Sequence, residues 1–230
     1  MKKMLIPNIL ESFGQNGCAP SQPSGSGLAG KELVFPQASD TACAIMKAAL
    51  TQPLTSFTIC LAHYSQLTRP YAIFSYATPA SNNDILIYKP KPNQYSLYVG
   101  CEGVTFSAPE TQPIGGEVLC TSWDSAKGLA NFWVNAKQMP QMVLKKGYSI
   151  CAEASIVLGQ DQDSMGGGFD INQSYVGQLR DVRFWDRVLT YDELQDAFFN
   201  IDVPGGYVFN WKTVSYELKG NVIVKPAGSP

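Results

Sequence analysis

The segment Val176-Gly-Gln-Leu-Arg-Asp-Val-Arg-Phe-Trp185 is the clearest indication of the fold class of this chain. Apolar and polar side chains alternate along it, which predicts a β-strand with one buried face. Similar short segments, rich in Val, Ile, Phe, Tyr and Trp and separated by Gly, Pro, Asn and Asp, lie on both sides of it. Strands are predicted at residues 32–35, 56–62, 72–76, 85–88, 95–99, 104–107, 117–123, 130–134, 154–158, 175–185, 207–211 and 221–224.

One segment, Thr190-Tyr-Asp-Glu-Leu-Gln-Asp-Ala-Phe-Phe199, breaks this pattern. Thr190 precedes Glu193 by three residues, which is the spacing of a helix capping box. Leu194, Ala197 and Phe198 then follow at helical spacing. The chain is therefore predicted to be an all-β, two-sheet antiparallel sandwich with one short helix on its surface.

The composition is typical of a folded domain and argues against both a nucleic-acid partner and a membrane-spanning segment. The 230 residues are 45% hydrophobic, and 17 basic against 19 acidic residues give a net charge of −2. No nucleic-acid partner is expected without a Lys/Arg cluster, and no apolar run approaches the ~18 residues of a membrane span. Residues 1–29 are interpreted as an N-terminal extension and linker before a domain at 30–230, because residues 19–29 are rich in Pro, Ser and Gly.

Six cysteines indicate an oxidising compartment and hence secretion. None stands in a Cys-x-x-Cys motif, and the single histidine, His63, cannot complete a Cys/His zinc site. An even count without metal spacing predicts disulfide bonds, and a set of buried thiols is the alternative. A lone histidine also argues against nucleophilic catalysis by a Ser/His or Cys/His pair.

An acidic, glycine-rich stretch carries the candidate chemistry: Gly159-Gln-Asp-Gln-Asp-Ser-Met-Gly-Gly-Gly-Phe-Asp-Ile-Asn-Gln173. Asp161, Asp163 and Asp170 would repel one another in a compact loop unless a cation neutralised them. Calcium suits the set because it takes ~6–8 oxygen ligands from carboxylates, amides and backbone carbonyls. The alternative is a surface loop that binds nothing. A simple turn is likewise the alternative for a second polar cluster, Ser81-Asn-Asn-Asp84.

Three segments together resemble the pentraxin family. Val118-Leu-Cys-Thr-Ser-Trp-Asp-Ser125 is similar to the family signature His-x-Cys-x-Ser/Thr-Trp-x-Ser/Thr. The other two run from Lys146-Gly-Tyr148 to Ser164, and from Val176-Gly177 to Phe184-Trp-Asp-Arg-Val-Leu189. The resemblance implies a jelly-roll subunit with two calcium ions. It also implies a secreted, lectin-like cyclic pentamer of acute-phase innate defence.

The resemblance assigns the calcium ligands from both polar clusters. They are Asn82, Asn83, Asp161, Gln162 through its backbone carbonyl, Asp163, Asp170 and Gln173. Asn82 stands where the family usually has Asp, and Asp161 and Asp170 stand where Glu is usual. Weaker calcium binding is predicted, because charge count and loop rigidity tune affinity. The ion bound through Asp170 and Gln173 is the one most affected.

The resemblance also implies a ligand pocket beside the metal. Tyr88 and Tyr98 match a tyrosine pair that flanks the ligand in one branch of the family, next to Asn83 and Gln173. Another branch has a glutamate that meets the cation of choline, and that position is Gly103 here. The missing charge-assisted contact is worth ~1.5–3 kcal/mol. Phosphoethanolamine, or acidic or acetal-bearing carbohydrate on cell or microbial surfaces, is therefore expected over phosphocholine. Two ordinary strand tyrosines are the alternative.

The cysteine pairing is assigned only in part by the resemblance. Cys60 and Cys120 match the family disulfide, whereas Cys101 and Cys151 replace residues that are not cysteine and are expected to pair with each other. Cys18 and Cys43 are expected either to pair or to join subunits.

Three further expectations concern function. Asn135 and Phe198 replace an acid and a tyrosine at family positions linked to complement, so the resemblance does not support complement engagement. One alternative to calcium-dependent recognition is a calcium-independent structural or adhesive oligomer of the same fold. Another is a glycoside hydrolase that uses two of the three loop aspartates.

Overall fold

The computed structural model describes residues 25–48, 50–108 and 116–228. Strands dominate these residues, as the period-two patterns predict. The strands are β1 Gly25–Ser26, β2 Lys31–Phe35, β3 Cys43–Lys47, β4 Ser56–Tyr64, β5 Tyr71–Ala77, β6 Ile85–Lys91, β7 Gln94–Val99, β8 Glu102–Ser107, β9 Glu117–Asp124, β10 Leu129–Val134, β11 Lys137–Gln138, β12 Met142–Val143, β13 Ser155–Leu158, β14 Gly177–Trp185, β15 Tyr207–Asn210, β16 Ser215–Lys219 and β17 Ile223–Pro226. A 3₁₀ turn at Ile171–Gln173 and the helix α1 at Tyr191–Phe198 complete the elements.

The strands form two antiparallel sheets. One sheet has eight strands in the order β1-β16-β3-β13-β5-β6-β7-β8. The other follows the order β11-β10-β9-β4-β14-β2-β17, with β12 on β10 and β15 on β14. The inner faces bury aromatic side chains such as Phe74, Trp123 and Phe184, and Phe184 contacts Phe74 edge to face at 5.7 Å. The predicted all-β sandwich with one short α-helix is confirmed.

The alternation predicted along β14 is interrupted in the structure. Its pairing with β4 shifts between Arg180 and Arg183, where Asp181 adopts a φ of 55°. The inward residues are therefore Leu179 and Val182, three positions apart. Beyond this bulge both faces are covered, because α1 packs on the outer face and buries Arg183. The prediction of a single buried face holds only for the first half of the strand.

Five of the described strands lie outside the predicted set: the two-residue strands β1, β11 and β12, and the longer strands β3 and β16. β3, with the sequence Cys-Ala-Ile-Met-Lys, has only one β-branched residue, so its propensity signal is weak. β16 does alternate, since Tyr216 and Leu218 are buried between exposed or half-buried neighbours. Two residues before position 30 also contact the sandwich. Gly25 pairs with Tyr216, and Leu28 is fully buried. Among the described residues, no helix has the length and apolar character to cross a membrane.

The predicted capping box is present at the start of α1. Thr190 Oγ1 accepts the Glu193 amide at 3.4 Å, and Glu193 Oε2 accepts the Thr190 amide at 2.8 Å. The helix packs on a small second core beneath it that contains Trp185, Leu194 and the disulfide cysteines.

Thr190→Ala is expected to lower the free energy of unfolding by about 1 kcal/mol, because it leaves a helix amide without its cap. Urea unfolding followed by tryptophan fluorescence measures this change. Thr213→Ala is the matched control, since that exposed hydroxyl makes one long bond of 3.5 Å. Equal losses in the two variants would contradict the capping role.

Candidate calcium and ligand site

The turn between β5 and β6 carries the first two predicted ligands. Asp84 is fully buried and braces the turn, accepting from Thr78 Oγ1 at 2.9 Å and from the Tyr148 hydroxyl at 2.7 Å. The Asn83 side-chain oxygen is buried and has no hydrogen-bond partner. Asn82 Oδ1 lies 3.4 Å from the Cys101 thiol. Asp84 is thus structural, and the neighbouring amides retain oxygens for a ligand.

The loop formed by residues 159–173 is fastened to the sheet by its glutamines. Gln160 Nε2 donates to Ser39 O at 2.7 Å and to Ala42 O at 2.9 Å. Gln162 is fully buried, and its Nε2 donates to Ser75 O and Ser155 O, while its Oε1 accepts the Gly166 amide at 2.8 Å. The Gln162 side chain is therefore committed to the scaffold. The predicted role of its backbone carbonyl as a metal ligand would leave these side-chain contacts intact.

Asp161 is the most constrained carboxylate in this loop. Its exposed fraction is only 5%, and its Oδ1 has no hydrogen-bond partner. Burial, followed by the charge of Asp163, raises the pKa of Asp161 to about 6. Two adjacent carboxylates, one of them buried, form a site that a cation would stabilise.

Asp170 occupies a different position from the other two aspartates. It caps the 3₁₀ turn, where its Oδ1 accepts the Asn172 amide and side-chain nitrogen, each at 2.9 Å. Across residues 25–48, 50–108 and 116–228, no three His, Cys, Asp or Glu side chains converge as a metal cluster. A cation here would depend on amide and carbonyl oxygens in addition to Asp161 and Asp163. The donors are all oxygens, as calcium requires.

Tyr88 links the loop to the predicted ligand pocket. Burial and the Asp161 charge raise the pKa of its phenol, which the hydrogen bond to Gln173 opposes. Tyr98 lies diagonally opposite on the same outer face, since Tyr88 pairs with Ser96 and Leu86 pairs with Tyr98. The structure thus brings Tyr88, Tyr98, Asp161 and Gln173 together. Asn82 and Asn83 lie in the turn that follows β5, the strand to which Gln162 is anchored.

The Tyr98 ring covers the position where a choline-binding glutamate would sit. Tyr98 and Gly103 are direct cross-strand partners on β7 and β8. A Cβ atom at position 103 would come within 2.5 Å of Tyr98 Cε1. The Tyr98 ring therefore fits only because residue 103 is a glycine, and a larger residue at position 103 would require a smaller one at position 98.

The structure confirms one predicted disulfide and not the other. Cys60 and Cys120 are bonded, with directly paired positions on β4 and β9. Cys101 and Cys151 are not bonded to each other, because both are free and exposed and the Cys101 thiol is instead directed to Ser81 Oγ at 3.2 Å. Cys43 is also free, and burial raises the pKa of its thiol to about 11. Its expected partner, Cys18, lies outside the described residues.

A buried charged cluster behind Tyr88 was not predicted from the sequence. Lys89 Nζ lies 2.6 Å from the Tyr95 hydroxyl and 3.3 Å from Glu117 Oε2. Tyr95 donates to Glu117, and His63 Nε2 lies 3.4 Å from the same carboxylate. All four side chains are buried inside the sandwich. They come from four strands and have no common sequence motif.

The contribution of His63 to the free energy of unfolding is expected to fall as the pH drops below about 6.5, whereas Asp161, with its pKa raised to about 6, contributes with the opposite sign. Burial lowers the pKa of His63 from its ordinary 6.5, so the unfolded chain binds this proton more readily than the folded one. Burial alone would raise the pKa of Glu117, but hydrogen bonds from His63 and Tyr95 hold it at about 2. Glu117 therefore adds a loss of the same sign as the pH falls below its ordinary value of 4.5.

Urea unfolding between about pH 7.5 and pH 5 measures the His63 contribution. His63→Gln removes the titrating ring, so this variant should lose less stability than the wild type as the pH falls through that range. A slope unchanged by the substitution would contradict the assignment.

The chain matches known proteins along most of its length. The Pentaxin family model matches residues 31–226. Serum amyloid P-component of Cavia porcellus is 44% identical over 196 residues, covering 85% of this chain and 87% of the relative. C-reactive protein of Homo sapiens is 41% identical over 225 residues, covering 97% and 95%. The native heptameric SAP-like pentraxin from Limulus polyphemus matches in fold, with a TM-score of 0.77 at 24% identity, covering 87% of this chain and 97% of that one.

These matches bear on the hydrolase alternative. The matching family and relatives are not enzymes, so a glycoside hydrolase is set aside. The family model spans far more than half of the sequence, and the relatives share about two residues in five with it. The chain is a member of the pentraxin family.

Proposed function

We propose that this chain is a secreted, calcium-dependent recognition protein that binds phosphate-bearing or acidic carbohydrate ligands. The observation that carries the proposal is the buried Asp161 carboxylate. It has an unpartnered oxygen, lies beside Asp163, and is close enough to influence the Tyr88 phenol. A buried charge without a counterion is unfavourable, so this arrangement favours a cation.

Asn82, Asn83, the Gln162 carbonyl, Asp170 and Gln173 would complete two cation positions with Asp161 and Asp163. Bound calcium supplies positive charge and open coordination positions to an anionic oxygen. The chain's own residues orient the ligand. Tyr88 and Tyr98 form an aromatic wall on the sheet, and Gln173, bonded to Tyr88, presents its amide at the edge of that wall.

The preference for phosphoethanolamine over phosphocholine rests on Tyr98 and Gly103. The tyrosine ring occupies the space into which a side chain at position 103 would extend. A quaternary ammonium would find no carboxylate there. A primary ammonium can still donate hydrogen bonds to hydroxyl and amide oxygens.

The double variant Tyr98→Thr, Gly103→Glu is expected to gain phosphocholine binding by roughly 10-fold or more, because it restores a charge-assisted contact of ~1.5–3 kcal/mol. Gly103→Glu alone should gain much less, since its Cβ would collide with the tyrosine ring. Surface plasmon resonance on immobilised phosphocholine measures both variants, with Tyr98→Thr as the control for lost ring area. Equal gains in the single and double glutamate variants would contradict the dependence of position 103 on Tyr98.

Assembly and location belong to the same proposal. A cyclic homo-oligomer would raise the avidity of weak single sites. A pentamer is expected from the resemblance, whereas the Limulus relative is heptameric. The Cys60–Cys120 disulfide supports an oxidising, extracellular location. The division into an extension at 1–29 and a domain at 30–230 remains part of the proposal, with Gly25 and Leu28 of the extension contacting the domain.

Retention on immobilised phosphoethanolamine and phosphocholine, with and without calcium, tests this function. Retention on phosphoethanolamine that EDTA reverses is the expected result. Retention that EDTA does not change would favour the calcium-independent adhesive oligomer. That alternative draws on the absence of a three-carboxylate cluster among the described residues.

A further inference from the structure

Arg69 lies in the connection between β4 and β5, away from every predicted metal ligand in sequence. It is half-buried and reaches across to the 159–173 loop. Its Nη1 donates to Asn172 O at 3.0 Å, and its Nη2 donates to Ser174 Oγ at 3.3 Å. A planar guanidinium can make both contacts at once, which a single ammonium group cannot do in the same geometry.

These two contacts lie on either side of Gln173. Ser174 Oγ in turn donates to Ile171 O at 2.7 Å and accepts the Ser39 amide at 3.2 Å. The Gln173 side chain is bonded to the Tyr88 phenol on its other side. Arg69, Ser174 and Tyr88 therefore fix the orientation of the residue between them.

The residues of this 3₁₀ turn itself make few apolar contacts. None of its residues is buried, and Ile171 is 46% exposed. Apolar packing therefore contributes little, and polar contacts decide the shape of the turn. Asp170, which caps the turn, shares that shape because its side chain is bonded to Asn172.

We propose that Arg69 is a positioning residue that holds Asp170 and Gln173 in the geometry needed to bind a cation. The inference rests on the proposed calcium-dependent function and adds a residue outside the ligand set. Residues that orient metal ligands without touching the metal change affinity by ~10–100-fold when they are removed. The charge of Arg69 also reaches the Tyr88 phenol, so the same residue favours anionic ligands at the pocket.

Calorimetric calcium titration of the full chain, together with thermal unfolding in EDTA, tests the inference. Arg69→Gln is expected to weaken calcium binding about 10-fold while leaving the melting temperature in EDTA close to that of the wild type. Arg69→Lys keeps the positive charge but lacks the planar guanidinium, so its calcium affinity should fall as it does in Arg69→Gln. Arg180→Gln is the matched control, because Arg180 pairs with Asp181 on the opposite sheet. Its calcium affinity should be unchanged.

Each contrary outcome has a distinct meaning. Wild-type affinity in Arg69→Gln would overturn the inference and leave the proposed function intact. Wild-type affinity in Arg69→Lys would also overturn it, because charge alone would then suffice. No calcium binding by the wild type would overturn the proposed function, and the inference with it. If Arg69→Gln does not fold, Ser174→Ala carries the test, since it removes one of the two contacts and should weaken calcium binding in the same direction.

Discussion

Replacing Glu117 by Gln is expected to lower the free energy of unfolding by about 3–5 kcal/mol, because removing one partner of a buried ion pair leaves the other charge uncompensated. Lys89 Nζ lies 3.3 Å from Glu117, and both side chains are largely shielded from water inside the sandwich. Glutamine preserves the shape of the side chain and much of its hydrogen bonding. The loss therefore reports the charge of Glu117 and not a cavity.

Chemical denaturation at neutral pH measures this loss, and two further variants separate its causes. Glu102→Gln removes an exposed ion pair with Lys145, at 3.7 Å, and should change stability by less than about 1 kcal/mol. Adding Lys89→Met to Glu117→Gln removes the stranded cation and should recover a substantial part of the loss. A Glu117→Gln variant as stable as Glu102→Gln would contradict the burial and pairing of this cluster.

Asp161→Asn is expected to change calcium affinity and calcium-free stability in opposite directions. It removes one of the two adjacent carboxylates, and charge count tunes calcium affinity over orders of magnitude, so binding should weaken about 100-fold or more. Without calcium the same variant should be more stable than the wild type. The reason is that it removes a buried charge that is repelled by Asp163.

Thermal unfolding in EDTA and in excess calcium measures both effects on one sample. The wild type should gain stability from calcium by mass action, and Asp161→Asn should not. Asp192→Asn is the control, since Asp192 is exposed in the first turn of α1. An Asp161→Asn variant that melts lower than the wild type in EDTA would show that this carboxylate supports the apo fold. It would thereby contradict its assignment as an unpaired metal ligand.

Local sequence patterns correctly predict those elements whose interacting residues are close together in the chain. The capping box at Thr190 and Glu193 is correct to the residue, because both partners lie within one helical turn. The alternation along β14 ends at the bulge after Arg180, beyond which α1 covers the outer face. The sequence of the strand alone indicates neither the bulge nor the covering helix. β3 has weak propensity, and it forms because β16 and β13 pair with it on both sides.

The candidate site could not be predicted from local sequence patterns alone. Asn83 and Asp161 belong to clusters that are far apart in sequence, and only the resemblance to the family joined them. The Gln162 side chain donates to Ser75 O, and the Arg69 guanidinium donates to Asn172 O. No sequence spacing indicates either contact. The expected Cys101–Cys151 disulfide is not formed. Disulfide formation depends on the direction of the two side chains as well as on their proximity, and the sequence spacing indicates neither. The cluster of His63, Lys89 and Glu117 has no sequence signal, because its members come from three separate strands.

Calorimetric titration of the full chain with calcium is the decisive measurement for the proposed site. We expect saturable binding that Asp161→Asn weakens about 100-fold and that Asp192→Asn leaves unchanged. A correctly folded wild type that binds no calcium would rule out calcium-dependent recognition. The buried Asp161 carboxylate would then need another explanation, and recognition by this pentraxin would have to be independent of calcium.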